Sequence, residues 1–240
     1  MTFEPFGMAF RDHLEGKSPT ITIERDDGYI DEVDFEEYFV GYDGFPACEK
    51  QALAYAKGRA LDLGLGAGRV CLHLQDLGLD PVGIDISDLA LEVARKRGVR
   101  NAVKMSVCEL DFEEGSFDTA VAFGNNFGLC GAPEKVLGMM VRLRGILRED
   151  GAFLAESVNP VATDNPAHLR YHKANLEKGK YRGHVRIRDK YKGVVGGWFD
   201  LLMVTPDEMA GLAKRAGFRV ERICRESESD RLYVAVLKKA

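Results

Sequence analysis

The 240-residue sequence lacks the features that mark membrane, secreted and metal-binding proteins. It has no run of about 18 apolar residues, and its first residues lack the basic and apolar regions of a signal peptide. We therefore expect a soluble, cytoplasmic protein without a membrane partner. Its five cysteines include no C-x-x-C pair, so we expect no metal site and no disulfide framework. All five cysteines are predicted to be reduced and to pack as small hydrophobic residues.

An excess of basic residues is also missing. Lys and Arg number 33 against 38 for Asp and Glu, and the net charge of −5 disfavours a dedicated nucleic-acid-binding protein. Two segments depart strongly from this average. Residues 1–49 hold thirteen acidic and three basic residues, whereas residues 170–192 hold nine Lys or Arg and two acidic residues.

The basic segment has three interpretations. Charges that alternate along a strand are typical of a solvated face, and the acidic residues 1–49 could lie against this face and neutralise it. The segment could instead bind a small anionic substrate. Because Tyr171, Tyr181 and Tyr191 are interleaved with its charges, it also resembles a groove for single-stranded nucleic acid. We favour the first interpretation, and place a small anionic substrate ahead of RNA. No feature selects between a monomer and a homodimer.

From residue 58 onward, short apolar runs alternate with amphipathic segments. The runs "RALDLG", "PVGID", "NAVKM", "FDTAVAF" and "GAFLAES" are typical of buried strands, with helical segments between most of them. Such alternation predicts right-handed crossovers and a parallel sheet covered on both faces, which is an α/β fold. The last two runs, "RVERICRES" and "RLYVAVLKK", are too closely linked for a crossover and must pair antiparallel.

We expect one domain with three parts. The core comprises residues 58–157 and 205–240, and a capping box at Thr205 and Glu208 predicts the start of a helix in its second part. Residues 1–57 are expected to form an acidic, irregular cap that ends in a helix from about Pro46 to Lys57. Residues 158–204 form an insertion on the substrate side, with a helix followed by a β-hairpin that turns near Lys192 and Gly193.

The stretch "ALDLGLGAGR" places three glycines directly after the first predicted core strand. Between a strand and a helix, glycines allow a sharp turn and a close approach of the backbone to a ligand at the helix N-terminus. Asp85 ends the next strand, about twenty residues further on, where a carboxylate can accept hydrogen bonds from the hydroxyls of an adenosine ribose. The pattern predicts an adenosine-ligand site.

The dinucleotide fingerprint Gly-x-Gly-x-x-Gly fails, because its last position is Arg69. The motifs "LDLGLGAGR", "GIDIS", "FDTAVAFGNNFG", "LRGILREDGAFLAES" and "AGFRVERIC" instead resemble, in order, those of class I S-adenosylmethionine-dependent methyltransferases. The resemblance implies a Rossmann-like, seven-stranded, mostly parallel sheet. It also implies S-adenosylmethionine as the methyl donor and S-adenosylhomocysteine as the product.

The resemblance assigns cofactor-binding roles residue by residue. On the methionine and ribose side these residues are Asp62 for the loop or the amino group, Gly64, Gly66 and Gly68 for the backbone cradle, Arg69 for the carboxylate, Asp85 for the ribose and Ile86 for one face of the adenine.

The adenine amino group is expected near Ser106, which lies twelve residues before Asp118. Members of the family commonly carry an acid at this position, so here a hydroxyl must take its place, with the N–H of Val107 donating to the ring. Glu109 is an alternative partner.

The turn "GNNFG" contains Gly124, Asn125 and Asn126, and it follows the strand that faces the transferred methyl group. It resembles the "GNSF" turn of glycine and sarcosine N-methyltransferases. Gly124 and Asn125 are therefore predicted to contact the cofactor. Asn126 is as well explained by a hydrogen-bonded turn that closes the strand.

Residues that position or deprotonate the acceptor must come from the cap and the insertion, because the sheet supplies the cofactor platform. The catalytic candidates are Tyr38, His168, Tyr171 and His172. The predicted reaction is in-line transfer of a methyl group to a nitrogen or oxygen of a small molecule. The alternatives are an RNA or protein methyltransferase that uses residues 170–192, and a non-catalytic protein that binds an adenosine ligand.

Overall fold

The computed structural model describes residues 4–227 and 230–240. The N-terminal part contains α1 (Glu4–Leu14), β1 (Thr20–Arg25), β2 (Ile30–Asp34) and α2 (Ala47–Leu53). The first part of the core contains β3 (Arg59–Leu63), α3 (Arg69–Asp76), β4 (Asp80–Asp85), α4 (Asp88–Arg97), β5 (Ala102–Lys104), β6 (Phe117–Ala122), α5 (Pro133–Ile146) and β7 (Leu147–Val158). The insertion contains α6 (Pro166–Glu177), β8 (Gly183–Tyr191), β9 (Val194–Val195) and β10 (Phe199–Met203), and the chain ends with α7 (Pro206–Arg215), β11 (Phe218–Cys224) and β12 (Leu232–Lys239).

The main sheet has seven strands in the order β11–β12–β7–β6–β3–β4–β5. Strands β3 to β7 pair in parallel, and β12 is antiparallel to both β7 and β11. The predicted α/β fold with an antiparallel C-terminal hairpin is confirmed. The carboxyl ends of β3, β4, β6 and β7 lie along one edge, which is where open α/β sheets bind ligands.

Alternate residues of each core strand face opposite helical layers. In β3, Leu61 packs in the cluster formed with α5 and α7, whereas Ala60 packs in the cluster formed with α2 and α3. The predicted capping box of α7 is present: the Glu208 N–H donates to Thr205 Oγ1 at 3.2 Å, and the Thr205 N–H donates to Glu208 Oε2 at 2.8 Å. In the described part of the chain, no helix is long and apolar enough to cross a bilayer.

A second, antiparallel sheet joins the N-terminal part to the insertion. Its strands lie in the order β10–β8–β1–β2, with β9 paired to β8. The predicted hairpin is present, and it turns at Lys192 and Gly193, both of which have positive φ. The expectation of an irregular cap was wrong, because β1 and β2 are regular strands and α1 precedes them. The stretch "TITIER" of β1 has a strand-like alternation, but its partner β8 lies far away in the sequence, where local patterns do not reveal the pairing.

The expectation for the cysteines was correct for three of the five. Cys48, Cys71 and Cys224 are free and buried. Cys108 and Cys130 form a disulfide with a Cα–Cα distance of 5.6 Å. They lie in the loops that follow β5 and β6, two strands whose carboxyl ends share one edge of the sheet, so the pairing depends on the fold and not on short sequence spacing.

Candidate active site

The loop between β3 and α3 turns through three glycines in the left-handed region, with φ of +83° at Gly64, +52° at Gly66 and +86° at Gly68. A Cβ at Gly64 would lie 2.3 Å from the side-chain nitrogen of Asn126, and one at Gly68 would lie 2.6 Å from Val99. Gly68 is also the N-cap of α3, and it provides no side chain to accept from the first N–H groups of the helix. The loop therefore leaves a helix N-terminus that suits an anionic group of a ligand.

Asp85 connects this loop to the end of β4. Its Oδ2 accepts the Gly66 N–H at 2.9 Å, and its Oδ1 accepts the Ser87 N–H at 2.9 Å. The N-cap of α4 is Ser87, whose Oγ accepts from Ala90, so Asp85 is not needed for that role. Each carboxylate oxygen retains capacity for a ribose hydroxyl. Ile86 is 39% exposed beside it, as a side chain that packs on an adenine face requires.

Asp62, at the end of β3, is a buried acid with an unused acceptor. Its Oδ2 has no hydrogen-bond partner among the described residues. Burial raises the pKa of Asp62 to about 7, against the opposing effects of the Cys71 thiol and the Arg69 charge. A buried polar atom without a partner is costly. A ligand ammonium group at this point would satisfy it, so Asp62 fits the predicted contact with the amino group of the cofactor.

Arg69 is predicted to hold the cofactor carboxylate, and the structure pairs it with Glu49 of α2. Nη1 and Nη2 of the guanidinium donate to the two carboxylate oxygens of Glu49, each at 2.5 Å. The Arg69 guanidinium also lies over the Phe45 ring at 4.5 Å from its centroid. The role of Arg69 toward a carboxylate therefore remains a prediction, and Glu49 is a site residue that the sequence analysis missed.

The turn after β6 is linked to the end of β7. Asn125 has φ of +61°, and its N–H donates to Oε1 of Glu156 at 2.7 Å. Its side-chain oxygen accepts the Val158 N–H at 3.2 Å. Gly124, with φ of +70°, gives the strand its exit into this turn. Glu156, which is 1% exposed and follows the apolar run 151–155 of β7, is a second residue that the sequence analysis missed.

Asn126 supports the glycine loop from the same turn. Its amide nitrogen donates to the carbonyl oxygens of Leu63 and Gly64 at 3.0 and 2.9 Å. This matches the structural interpretation of Asn126, because both bonds fix the backbone where the chain leaves β3.

On the adenine side, the loop after β5 carries Ser106 and Val107. The Ser106 hydroxyl accepts the N–H of Cys108 at 3.2 Å and so closes a short turn, while Val107 is 8% exposed in the main core. The Cys108–Cys130 disulfide ties this turn to the loop that carries Asn125. Two loops of the predicted site are thereby held together.

The N-terminal cap covers the glycine loop. Phe10 of α1 would lie 3.3 Å from a Cβ at Gly66, and its ring packs edge-on against Tyr38 at 5.4 Å. Arg97 at the end of α4 donates to the carbonyl oxygens of Ala67 and Phe39, at 2.6 and 3.0 Å. Arg97, which the sequence analysis also missed, therefore links the loop to the cap.

Of the four catalytic candidates, only Tyr38 lies in the cap that covers the glycine loop. Burial is the main cause of its raised pKa, and the charges of Glu37, Arg69 and Glu156 also act on it. Tyr38 therefore lies within the electrostatic reach of the residues at the methionine end of the predicted site.

The other three candidates, His168, Tyr171 and His172, lie together on the face of α6 that packs toward the second sheet. The Arg25 guanidinium lies over Tyr171 at 4.2 Å and over Tyr29 at 4.7 Å, and the Tyr29 ring contacts His168 at 4.9 Å. These contacts join α6 to β1 and to the turn that follows it. The three candidates thus form a second cluster, which Arg25 and Tyr29 hold against the second sheet.

Burial is the main cause of the lowered pKa of His172, which is about 4, and neighbouring His and Arg charges add to the effect. Nδ1 of His172 is buried and has no hydrogen-bond partner in the described ranges. His172 is therefore a neutral imidazole at pH 7 with an unused polar atom.

The comparisons with known proteins agree with this geometry. The family model described as a methyltransferase domain matches residues 61–155, which run from β3 to β7. A crystal structure of an S-adenosylmethionine-dependent methyltransferase from Bacteroides fragilis, in complex with S-adenosylhomocysteine, has a TM-score of 0.82 and 28% identity, covering 98% of this chain and 94% of that one. Residues 61–155 therefore form a methyltransferase domain, and the chain has the fold of the class I S-adenosylmethionine-dependent methyltransferases. The S-adenosylhomocysteine bound to the Bacteroides fragilis protein supports S-adenosylmethionine as the cofactor.

Two further solved structures share the fold of this methyltransferase. The CcbJ methyltransferase from Streptomyces caelestis has a TM-score of 0.64 and 20% identity, with 85% of this chain and 94% of that chain covered. A Burkholderia thailandensis 1,6-didemethyltoxoflavin-N1-methyltransferase has a TM-score of 0.54 and 20% identity, with 81% and 78% covered. No curated protein sequence matches the chain.

Proposed function

We propose that this methyltransferase transfers the methyl group of S-adenosylmethionine to a nitrogen or oxygen of a small molecule by in-line displacement. The observation that carries the choice of a small acceptor is the pairing of three of the nine basic residues of this segment with acids of the cap. Nε of Arg188 and Nζ of Lys190 lie 2.5 and 2.6 Å from the Glu24 carboxylate, and Lys192 pairs with Asp12. These three basic side chains are therefore occupied within the protein.

Other contacts of the same segment point the same way. The Tyr171 hydroxyl donates to Asp26 at 2.7 Å, and the Tyr191 hydroxyl donates to Asp12 at 2.8 Å. Tyr171 also packs against Arg25, so its ring is already engaged by a cation of the protein. Tyrosines that bind unstacked bases present a free ring face. This segment resembles a structural joint between cap and insertion more than a nucleic-acid groove.

S-adenosylmethionine supplies an electrophilic methyl group on a sulfonium, so the protein has mainly to hold an acceptor atom in line with it and to exclude water. Asp85 and the glycine loop would hold the adenosine, and the turn at Gly124 and Asn125 would face the methyl group. The resemblance of this turn to that of glycine and sarcosine N-methyltransferases supports a nitrogen acceptor. The cap over the loop, with Phe10 and Tyr38, would exclude water.

His172 suits a hydrogen bond to the acceptor better than general-base catalysis at neutral pH. A base with a pKa near 4 holds a proton weakly at pH 7, so proton transfer to it is unfavourable. Its buried, unused Nδ1 could still accept from an acceptor N–H or O–H and orient it. His168 and Tyr171 would then fix α6 against β1 and position His172.

A neighbour in fold also supports the proposal. The Burkholderia thailandensis enzyme is named as an N1-methyltransferase of 1,6-didemethyltoxoflavin, and its structure contains that compound and S-adenosylhomocysteine. At 20% identity this likeness shows that the fold accommodates a small acceptor together with the cofactor product, and it does not identify the acceptor of this protein.

The experiment is a transfer assay with methyl-labelled S-adenosylmethionine and a size-fractionated cell extract. We expect label in the low-molecular-weight fraction, and none without the enzyme. A matched variant, Asp85→Asn, should reduce this label, because it weakens cofactor binding and leaves the cap intact. Label in RNA or protein, removed by nuclease or protease, would contradict a small acceptor. Cofactor binding with no label in any fraction would favour a non-catalytic adenosine-ligand-binding protein.

A further inference from the structure

Glu49, Arg69 and Glu156 form a buried charge cluster beside the glycine loop. Glu49 and Glu156 are each 1% exposed. Both terminal nitrogens of Arg69 donate to the Glu49 carboxylate. The Glu156 carboxyl lies next to the Glu49 carboxyl. One guanidinium thus faces two almost fully buried carboxyl groups.

The charges of this cluster do not balance if both acids are ionised. Arg69 compensates Glu49, and two carboxylates in contact cannot both ionise without a large cost. Burial first, and then the charge of Glu49, raise the pKa of Glu156 well above its ordinary value. The other titratable groups that face it are Cys48 on α2 and Tyr38 in the cap, both with raised pKa values. Burial and the neighbouring carboxylate therefore favour the neutral, protonated form of Glu156 in the free protein.

The cluster also has unused acceptors. Oε1 of Glu156 accepts the Asn125 N–H, and no other residue within 4–227 and 230–240 donates to its Oε2, so this oxygen lacks a donor once Glu156 loses its proton. The Oδ2 of Asp62 is in the same situation, and the Arg69 charge acts on both acids. A guanidinium between two acceptors without donors suits a ligand that carries a carboxylate and an ammonium group together. The amino-acid end of the cofactor has both groups.

We infer that Glu156, positioned by Glu49, binds the α-ammonium group at the methionine end of the cofactor and releases its proton to solvent when the cofactor binds. The neutral acid becomes a carboxylate paired with the ammonium, and one proton leaves, with no other bond changed. This inference rests on the cofactor of the proposed function and is independent of the acceptor.

The test compares two ligands by calorimetry, each titrated in two buffers that differ in ionisation enthalpy, so that proton release is measured directly. S-adenosylhomocysteine carries the amino-acid end, and 5′-methylthioadenosine lacks it. We expect the wild-type protein to release protons with the first ligand and none with the second. Glu156→Gln should lose part of this release, and should bind S-adenosylhomocysteine about tenfold more weakly through loss of a charged hydrogen bond. Its affinity for 5′-methylthioadenosine should not change.

Two further variants isolate Glu156. Asp62→Asn removes the other buried acid on which the Arg69 charge acts, whose pKa is also raised, and should retain the proton release that belongs to Glu156, which tests the inference even if Glu156→Gln does not fold. Glu134→Gln, an exposed acid on α5, is the matched control and should behave as wild type.

The inference is overturned if Glu156→Gln keeps wild-type affinity and proton release. It is also overturned if the variant loses affinity for both ligands equally, because that result indicates a structural role. If the wild-type protein binds neither ligand, the cofactor and the proposed function fail together with the inference.

Discussion

Asp85→Asn is the most informative single change in the cofactor site. The Asp85 carboxylate accepts the N–H groups of Gly66 and Ser87, each at 2.9 Å, and is predicted to accept the ribose hydroxyls as well. Asparagine has the same shape but only one acceptor oxygen. Its NH₂ group must therefore face the N–H of Gly66 or of Ser87, where two donors oppose each other, and it cannot accept from the ribose hydroxyl on that side.

The expected loss follows from these contacts. Removing one hydrogen bond to a charged group costs about 1.5–3 kcal/mol. Since 1.4 kcal/mol is a factor of ten in a dissociation constant, S-adenosylhomocysteine should bind the variant about ten- to a hundredfold more weakly. Burial raises the pKa of Asp85 in the free protein, and the ribose needs the carboxylate form. The wild-type protein should therefore bind S-adenosylhomocysteine most tightly at neutral pH, and its affinity should fall as the pH drops through the raised pKa of Asp85. The affinity of the variant should not show this pH dependence.

The assay is isothermal titration calorimetry with S-adenosylhomocysteine, accompanied by circular dichroism to establish folding. The matched control is Asp88→Asn, three residues further on, where the carboxylate is 71% exposed and its partner Lys104 is also exposed. The control should bind as wild type. A folded Asp85→Asn variant with a dissociation constant within about twofold of wild type, which is less than 0.5 kcal/mol, would refute the ribose role.

Two further predictions concern stability. Asp12 accepts hydrogen bonds from Lys17 and Tyr191 at 2.7 and 2.8 Å and pairs with Lys192, which together hold its pKa far below its usual range. The contribution of ionised Asp12 to the free energy of unfolding is thus present at neutral pH and is lost as the pH falls through the lowered pKa. Asp12→Asn should therefore lower the free energy of unfolding in urea by about 1 kcal/mol at pH 7 and by less in acid. The disulfide closes a segment of 22 residues, so reduction should lower the free energy of unfolding by about 3 kcal/mol, and the Cys108→Ser variant should show no further loss on reduction. An equal effect of reductant on wild type and variant would contradict this assignment.

The core of the fold was predictable because its signals are local. Each strand from β3 to β7 is an apolar run bounded by turns, and the short link between β11 and β12 allowed only an antiparallel pair. The placement of the glycine loop beside Asp85 was also predictable, since glycines after a strand and an acid after the next strand have fixed positions in this architecture. The capping box at Thr205 has equally local geometry.

The second sheet and the place of Glu49 in the charge cluster were not predictable in this way. Glu24 of β1 contacts Arg188 of β8 across 164 residues, and no local pattern reports such a pairing. Glu49 lies on a short helix whose position over the sheet depends on the whole fold. Glu156 did leave a signal, because an acid at the end of the apolar run "GAFLAES" must be buried and must find a partner.

The central claim is that the glycine loop and Asp85 hold the adenosine of the methyl donor, with the amino-acid end beside Asp62 and Arg69. The most direct measurement is a crystal structure of the protein with S-adenosylhomocysteine. It should show both ribose hydroxyls on the Asp85 carboxylate and the amino-acid end at the N-terminus of α3. Ligand density at another place, or a nicotinamide dinucleotide in this loop in preference to S-adenosylhomocysteine, would contradict the account.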